Sequence, residues 1–337
     1  MPNKNDLIES IAETISDYRV DERNAGHFWI PEPNAAHVER WINQFENELR
    51  VPILKELDYV LDKTYISKTT FEQKFRDIVD HPKLVQGESR HYWNQTNIID
   101  VQKKGQSQKI ILSLIRNEIK SKIDMSYVSD SPFKKNFLYI DDISFSGGRI
   151  KEDLCYWISN YAPQESSIDI ALLADHSYGK FSSKGKIFDC ARENGKNVSL
   201  RWGTFDTYED RKSYSSTCDV LRPTCIPETS EVENYAKNLN AGKYNIHLRP
   251  SGYESRNHIF SSEQARHLLE QEFLKKGVSI YNSSPYLKPQ QKPLGNIGFV
   301  SFGFGSMLVT YRNCPNNCPL VFWAEGDWYP LFPRLMN

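Results

Sequence analysis

The chain has 337 residues, of which 39% are apolar, enough for roughly two or three folded domains and too many for a disordered protein. Its 42 basic and 43 acidic side chains give a net charge of −1, which excludes bulk attraction to nucleic acid or to an anionic membrane. No apolar run approaches the roughly 20 residues of a bilayer span, and the six cysteines lack CxxC or zinc-finger spacing. We therefore expect a cytoplasmic protein, with no membrane partner, reduced thiols and no structural zinc.

The first 85 residues have a mainly helical pattern. Residues 5–18 are amphipathic, and a three-four spacing predicts a longer helix through Val38, Trp41, Ile42, Phe45 and Leu49. Pro52 is expected to kink or restart that helix, and Thr70 with Gln73 has the spacing of a capping box. The aromatic stripe could face a partner helix, but core packing is the commoner cause and is our interpretation.

A strand, a basic turn and a helix follow at 96–119. The apolar run predicts a strand over 96–101, and Ile111, Ile115 and Ile119 share one face of the predicted helix. The turn between them consists of Lys103, Lys104, Gly105, Gln106 and Ser107. Taken alone, such a turn is more often solvated than functional.

The most informative stretch is FLYIDDISFSGGRI, residues 137–150. Its four apolar residues predict a strand buried on both faces. Asp141 and Asp142 follow as an exposed pair at the carboxyl end, the edge where open parallel sheets bind ligands. A helix is predicted over 149–161, with Ile150, Leu154, Trp157, Ile158 and Tyr161 on one face. The turn before it carries small residues: Ser144, Ser146, Gly147 and Gly148.

This order of residues suits a ribose 5-phosphate. A helix amino terminus preceded by glycines offers backbone amides to a phosphate, and adjacent carboxylates accept hydrogen bonds from vicinal hydroxyls. One alternative is an ordinary strand–turn–helix with a surface acid pair. Another is a Walker B strand, but that needs an earlier GxxxxGK[ST], and the nearest sequence, Gly179 to Lys186, has the wrong spacing and lies downstream.

The stretch resembles the phosphoribosyl-pyrophosphate (PRPP) motif of type I phosphoribosyltransferases, since Asp141, Asp142, Ser146 and Gly147 match it. Arg149 replaces the usual final Thr or Ser, which removes one hydroxyl contact and substitutes a cation. Phe145 stands where purine-salvage members often carry an acid, so the resemblance does not imply purine salvage.

The resemblance implies roles for particular residues. Asp141 and Asp142 would hold the ribose hydroxyls and, through them, Mg²⁺. The phosphate would bind at Ser144, Ser146, Gly147, Gly148 and Arg149, and the departing pyrophosphate at Lys103, Lys104, Gly105 and Gln106. Asp175, after the next strand, would help to hold the base or the metal. His176 is a weaker candidate, because a lone histidine is more often structural.

The pattern predicts an α/β fold with a mostly parallel sheet flanked by helices. Its strands are expected at 96–101, 136–141, 168–174 and 198–202, alternating with helices of crossover length, including one at 185–195. We expect a helical region at 1–85, the α/β core at 86–225, and a mixed α+β region at 226–337 that packs on the core.

The carboxyl-terminal region combines a predicted helix at 262–276 with short apolar runs, Asn-Pro turns and a final aromatic cluster. We favour ordinary core over a base-stacking surface for Trp323, Trp328, Tyr329 and Phe332. This region, the VERWINQFENEL helix and the acid pair together resemble the PRTase-CE type domain of bacterial conflict systems. The resemblance implies antiphage defence, with a reverse transcriptase and its nucleic acid as partners, and a tail packed over the nucleotide site.

Three hypotheses follow. The first is an enzyme that acts at C1′ of PRPP or of a nucleotide, with magnesium and a transition state of oxocarbenium character. The second is a catalytically silent module that senses a nucleotide or binds nucleic acid, favoured by Phe145 and Arg149. The third is a purely structural partner of a reverse transcriptase.

Overall fold

The computed structural model describes residues 2–26, 30–102, 107–124, 134, 136–240, 246–252, 254–297 and 300–334. The chain forms two compact units. One is continuous, Thr69–Tyr208, and the other combines Met1–Lys68 with Glu209–Asn337.

The helices, in chain order, are α1 Lys4–Thr14, α2 Val20–Asn24, α3 Ala35–Ile42, α4 Asn47–Thr64, α5 Lys68–Asp77, α6 Pro82–Val85, α7 Ser89–Gln95, α8 Ser107–Ile123, α9 Gly148–Asn160, α10 Ser177–Glu193, α11 Ser230–Asn240, α12 Glu263–Ser283 and α13 Leu320–Trp323. Short 3₁₀ turns occupy Ile78–Asp80 and Lys212–Thr217. The strands are β1 Tyr65–Ile66, β2 Thr96–Ile98, β3 Asn136–Ser144, β4 Glu165–His176, β5 Asn197–Tyr208, β6 Gln291–Lys292, β7 Gly295–Asn296 and β8 Val309–Thr310.

The continuous unit is built on a parallel sheet with strand order β2-β3-β4-β5. Helices α8, α9 and α10 make the successive crossovers, so the predicted parallel α/β architecture is confirmed. β4 and β5 are longer than predicted because their pairing extends in one register from Glu165↔Asn197 to His176↔Tyr208. The carboxyl ends of β3, β4 and β5 therefore lie side by side.

One face of this sheet packs against α9 and α10. Its core includes Phe137, Tyr139, Ile150, Leu154, Trp157, Ile158, Ile168, Ile170, Ile187 and Val198. The predicted apolar face of α9 is confirmed except at Tyr161, which is 61% exposed. Tyr161 is the residue that caps the helix, at φ −132°, so its side chain no longer follows the helical face.

The discontinuous unit has an aromatic core. Trp41 donates its indole N–H to the carbonyl of Val321 at 2.8 Å, and its ring meets Phe45 and Phe322 edge to face. Phe332 is also fully buried and lies 5.3 Å from Phe322, centroid to centroid. Core packing is therefore confirmed for the stripe around Trp41 and for Trp323 and Phe332 of the aromatic tail, whereas Trp328 and Tyr329 are half-buried.

The predicted restart of the helix at Pro52 is wrong. α4 continues through Pro52, and the helical segment is broken earlier, between α3 and α4. Arg50 stabilises that break, since its guanidinium donates to the carbonyls of Phe45 and Asn43, both at 2.9 Å.

All six cysteines are free thiols. Within the described residues, no helix is both long enough and apolar enough to cross a membrane.

Candidate functional site

Both acids of the PRPP-like motif lie inside β3, because β3 pairs with β4 as far as Ser144. Successive side chains of a strand point to opposite faces of the sheet. Asp141 is buried, whereas Asp142 is half-buried. The expectation that both acids are exposed at the strand end is therefore wrong for Asp141.

Asp141 belongs to a network of hydrogen bonds. The side-chain amide of Gln102 donates to its Oδ2 at 2.7 Å, and the backbone N–H of Asp142 donates to its Oδ1 at 3.0 Å. The Tyr139 hydroxyl lies 3.4 Å from the same Oδ2 and donates to Asp153 at 2.8 Å. Burial raises the pKa of Asp153, and the hydrogen bond from Tyr139 opposes that rise. The Asp141 carboxylate is thus fixed in place by neighbouring residues.

Asp142 is in a different environment on the other face of the sheet. Its Oδ1 accepts a hydrogen bond from the backbone N–H of Ile143 at 2.8 Å, which holds the side chain beside its own strand. Because it is half-buried, Asp142 is the acid of the pair that a ligand hydroxyl can approach from solvent.

The glycine turn is held by direct contact between backbones. Gly147 caps α9 with φ +73°, a left-handed conformation that favours glycine. A Cβ on Gly147 would lie 2.4 Å from the Gly179 carbonyl oxygen, and a Cβ on Gly179 would lie 2.1 Å from that of Phe145. The turn therefore lies against the first turn of α10, and a side chain at either glycine would displace it.

Four of the predicted phosphate-binding residues, at positions 146–149, lie at the amino terminus of α9, whereas Ser144 ends β3. The Gly148 N–H donates to the Ser146 hydroxyl at 3.4 Å, and Gly147, the capping residue, has no side chain to satisfy the other first-turn amides. Arg149 is exposed in the same turn. Free helix amides beside a guanidinium favour an anion such as phosphate.

Ser144 and Asp175 are neighbours across β3 and β4. Asp175 is fully buried, and one of its oxygens accepts from the Trp202 indole N–H at 2.7 Å and lies 3.4 Å from the Lys180 ammonium. Its other oxygen and the Ser144 hydroxyl have no hydrogen-bond partner among the described residues. Buried polar atoms without partners are costly, which makes this pair a candidate for a functional role.

Lys180 and Trp202 also line a cavity of about 260 Å³ at the edge of the sheet. The aromatic ring of Phe205 and the cationic side chain of Arg201 also line this cavity. Two of the groups that surround the Asp175 carboxylate are therefore accessible from a cavity that a small planar ligand could enter.

His176 has a packing role. Its ring stacks between Phe145 and Tyr208, with centroid distances of 5.0 and 5.6 Å. Complete burial lowers the pKa of His176 to about 4, so the imidazole is neutral at pH 7. The aromatic residue at position 145 is thus explained by contact with a buried imidazole.

The basic turn Lys103, Lys104, Gly105 and Gln106 lies outside the described residues. The residues on either side of this turn, Gln102 and Gln108, contact β3. Gln102 contacts Asp141, as described above, and the buried Gln108 side chain donates to the carbonyls of Ile99 and Ile140 at 3.0 and 3.3 Å. Both flanks are therefore held next to the acid pair.

A family model for PRTase-CE matches residues 38–334. The chain belongs to the PRTase-CE family. No curated protein and no solved structure matches it. Because the match extends over both compact units, the PRTase-CE domain is larger than the parallel-sheet unit alone.

Three residues of this PRTase-CE protein that support the motif were not predicted as site residues: Gln102, Asp153 and Gly179. Asp153 had a signal in the sequence, an acid on the apolar face of a predicted helix. Gly179 had no such signal, because the helix was predicted at 185–195, whereas α10 begins at Ser177. Gln102 had none, because its contact with Asp141 depends on tertiary structure.

Within the described residues, no three His, Cys, Asp or Glu side chains are placed to hold a metal ion together. Magnesium is commonly bound by one or two carboxylates with phosphate oxygens completing its shell. A magnesium ion that arrives with a phosphorylated ligand therefore does not require such a cluster, and its contact with Asp141 and Asp142 through ribose hydroxyls stays a prediction.

Proposed function

We propose that this protein is a phosphoribosyltransferase-like enzyme that acts at C1′ of PRPP or of a nucleotide. The observation that carries the proposal is the turn between β3 and α9, held by Gly147 and Gly179, where α9 amides without a capping side chain lie in the same turn as the exposed Arg149. That geometry, two strand residues beyond an acid pair, suits a sugar that carries a 5′-phosphate.

Each residue of the site has a proposed role. Asp142 accepts hydrogen bonds from the ribose hydroxyls, and Asp141, fixed by Gln102, supports the same sugar. The amides after Gly147 and the Arg149 guanidinium hold the 5′-phosphate. The bond from C1′ to the leaving pyrophosphate or base breaks, and a bond from C1′ to an acceptor nitrogen or a water oxygen forms. No nucleophile from the protein is needed, because positioning and electrostatics supply the catalysis.

Magnesium, when bound with the ligand, would neutralise the negative charge of the departing diphosphate. Lys103, Lys104, Gly105 and Gln106 are proposed to offer amides and ammonium charge to that group. Asp175 is proposed to accept a hydrogen bond from the base through its unpartnered oxygen.

The role in antiphage defence, with a reverse transcriptase and nucleic acid as partners, is a proposal supported by the resemblance to conflict-system proteins. A second candidate function is a silent nucleotide sensor. It is favoured by Phe145, whose ring packs on His176. Purine-salvage phosphoribosyltransferases often carry an acid at the position of Phe145.

The test is pyrophosphate release from PRPP with magnesium, in the wild type and in Asp142→Asn. Asp206→Asn is the matched control, since Asp206 is an exposed acid that pairs with Lys74 at 2.7 Å on the same sheet. We expect release by the wild type and the control and its loss in Asp142→Asn. Binding of PRPP without release would favour the sensor, and absence of binding to both PRPP and nucleotides would refute both functions.

A further inference from the structure

The outer surface of α9 and α10 carries an unusual concentration of exposed aromatic side chains. Eight large hydrophobic side chains are exposed in the described part of the chain, and five of them lie on α9, its capping residue and α10. They are Tyr156, Tyr161, Tyr178, Phe181 and Phe188. Isolated exposed apolar residues are normal on a protein surface, but a cluster of this kind indicates an interaction site.

The aromatic residues of α10 form a stripe. Positions 178, 181, 185 and 188 follow a three-four spacing and so share one face of the helix. The opposite face, with Gly179, Ser183, Ile187 and Ala191, is the buried one. Phe181 is 72% exposed and Phe188 is 37% exposed. Folding of the helix therefore does not require these two rings.

A glycine separates the two phenylalanines. Gly185 is exposed, and a Cβ added there would meet nothing within 4 Å. No close approach of another segment requires glycine at this position, although glycine inside a helix costs about 0.5–1 kcal/mol relative to alanine. Phe181, Gly185 and Phe188 line one shallow depression together with Lys184 and Lys186. The missing side chain leaves room between two aromatic rings.

The charge of this surface is positive. Residues 177–188 contain Lys180, Lys184 and Lys186 and no acid. The depression also contains one acid, Asp189, which pairs with Arg192 at 2.6 Å. Lys180 is paired with Asp175, but Lys184 and Lys186 are exposed on either side of the stripe. This arrangement favours an anionic partner.

Aromatic rings interleaved with lysines distinguish between partner classes. Protein interfaces are enriched in aromatic residues but depleted in lysine. Surfaces that bind single-stranded nucleic acid combine both, because bases stack on the rings while lysines contact the phosphates. We propose that the α10 surface formed by Phe181, Lys184, Gly185, Lys186 and Phe188 binds single-stranded nucleic acid. This site is separate from the proposed phosphoribosyl site.

The test is binding of fluorescent 12-nucleotide single strands, oligo-dT and oligo-rU, followed by anisotropy at several salt concentrations. Phe181→Ala should weaken binding by about 5- to 150-fold, the range for loss of one stacked base. Tyr286→Ala is the matched control, because Tyr286 is 82% exposed and lies outside this surface, and its affinity should equal that of the wild type. Comparison of dT with rU shows whether DNA or RNA is preferred.

Two further variants separate the contribution of the lysine–phosphate contacts from that of the space between the two rings. Lys184→Gln with Lys186→Gln should reduce the slope of log K against log salt by about 1.4, since each phosphate contact on a single strand contributes about 0.7. Gly185→Leu should fill the depression and weaken binding at least tenfold without lowering the melting temperature. Because Phe181 and Gly185 are both exposed, the Phe181→Ala and Gly185→Leu variants should fold normally.

Several results would overturn the proposal. They are equal affinity of the wild type and Phe181→Ala, equal affinity for duplex and single strands, and no binding to either oligonucleotide. Binding to phosphatidylserine vesicles alone would assign the surface to membranes. Loss of a wild-type dimer in Phe181→Ala, without any nucleic-acid binding, would assign it to a second copy of the chain.

Discussion

Gly179 gives the sharpest test of how the phosphate turn is supported. A methyl group placed there would lie 2.1 Å from the Phe145 carbonyl oxygen and 2.9 Å from both the Gly147 nitrogen and the Ser146 carbonyl carbon. An ordinary contact begins near 3.4 Å, so the turn or α10 must move by about 1.3 Å. The obstructing atoms are backbone, which cannot rotate away as a side chain can.

We therefore expect Gly179→Ala to cost about 1–3 kcal/mol of unfolding free energy, the usual range for overpacking. A displacement of about 1 Å at a binding site also costs roughly 100-fold in function, so ribose 5-phosphate binding should be lost. Urea denaturation and titration calorimetry measure the two effects.

Gly185→Ala is the matched control, since it makes the same substitution on the same helix where nothing lies within 4 Å of the added methyl group. It should stabilise the protein by about 0.5–1 kcal/mol and leave ribose 5-phosphate binding unchanged. Equal effects of the two substitutions would refute the close contact between α10 and the turn.

Three other substitutions test separate parts of the structure. Asp142→Asn should abolish ribose 5-phosphate binding with little change in stability. Asp141→Asn should lower both the binding and the stability, the stability by about 1–3 kcal/mol, because it disturbs a buried network. Calorimetry and urea titration distinguish the two variants, and identical behaviour would contradict the assignment of different roles. The pKa of His176 is lowered from 6.5 to about 4, so the unfolded chain binds the proton first and stability should fall by about 2 kcal/mol between pH 7 and pH 5. His176→Leu should remove that part of the pH dependence, and an unchanged pH profile of urea midpoints would count against a neutral buried imidazole. Glu270→Gln should destabilise the discontinuous unit by about 3–5 kcal/mol, because Glu270 pairs with the buried Arg249 at 2.9 Å and with Arg266 at 2.9 Å. A loss of less than about 1 kcal/mol in urea titration would argue against that network.

Much of the parallel sheet was predictable because its strands are apolar runs separated by helices of crossover length. The central strands are buried on both faces, so their sequence pattern is continuous and easily recognised. The ends of β3 and β5 were not predictable, because polar residues continue each strand where backbone pairing with β4 persists. Asp141 therefore looked like the last residue of the strand and Asp142 like a residue after it, although β3 continues past both.

The site was predictable to the extent that it is local in sequence. Gly147 could be inferred because a turn between a strand and a helix needs a left-handed residue. The support given by Gly179, the contact of Gln102 with Asp141 and the stacking of Phe145 on His176 could not, because they join segments roughly 30 to 40 residues apart. The burial of Asp141 results from one of these contacts, which is why an exposed pair was expected.

The central claim is that the turn between β3 and α9 binds the 5′-phosphate of a ribose. A crystal structure of the protein with ribose 5-phosphate tests it most directly. We predict the phosphate on the amides of 147–149, near Arg149, and the sugar hydroxyls on Asp142. Phosphate bound elsewhere, with the turn unchanged and no ligand within hydrogen-bond distance of it, would contradict the proposed function.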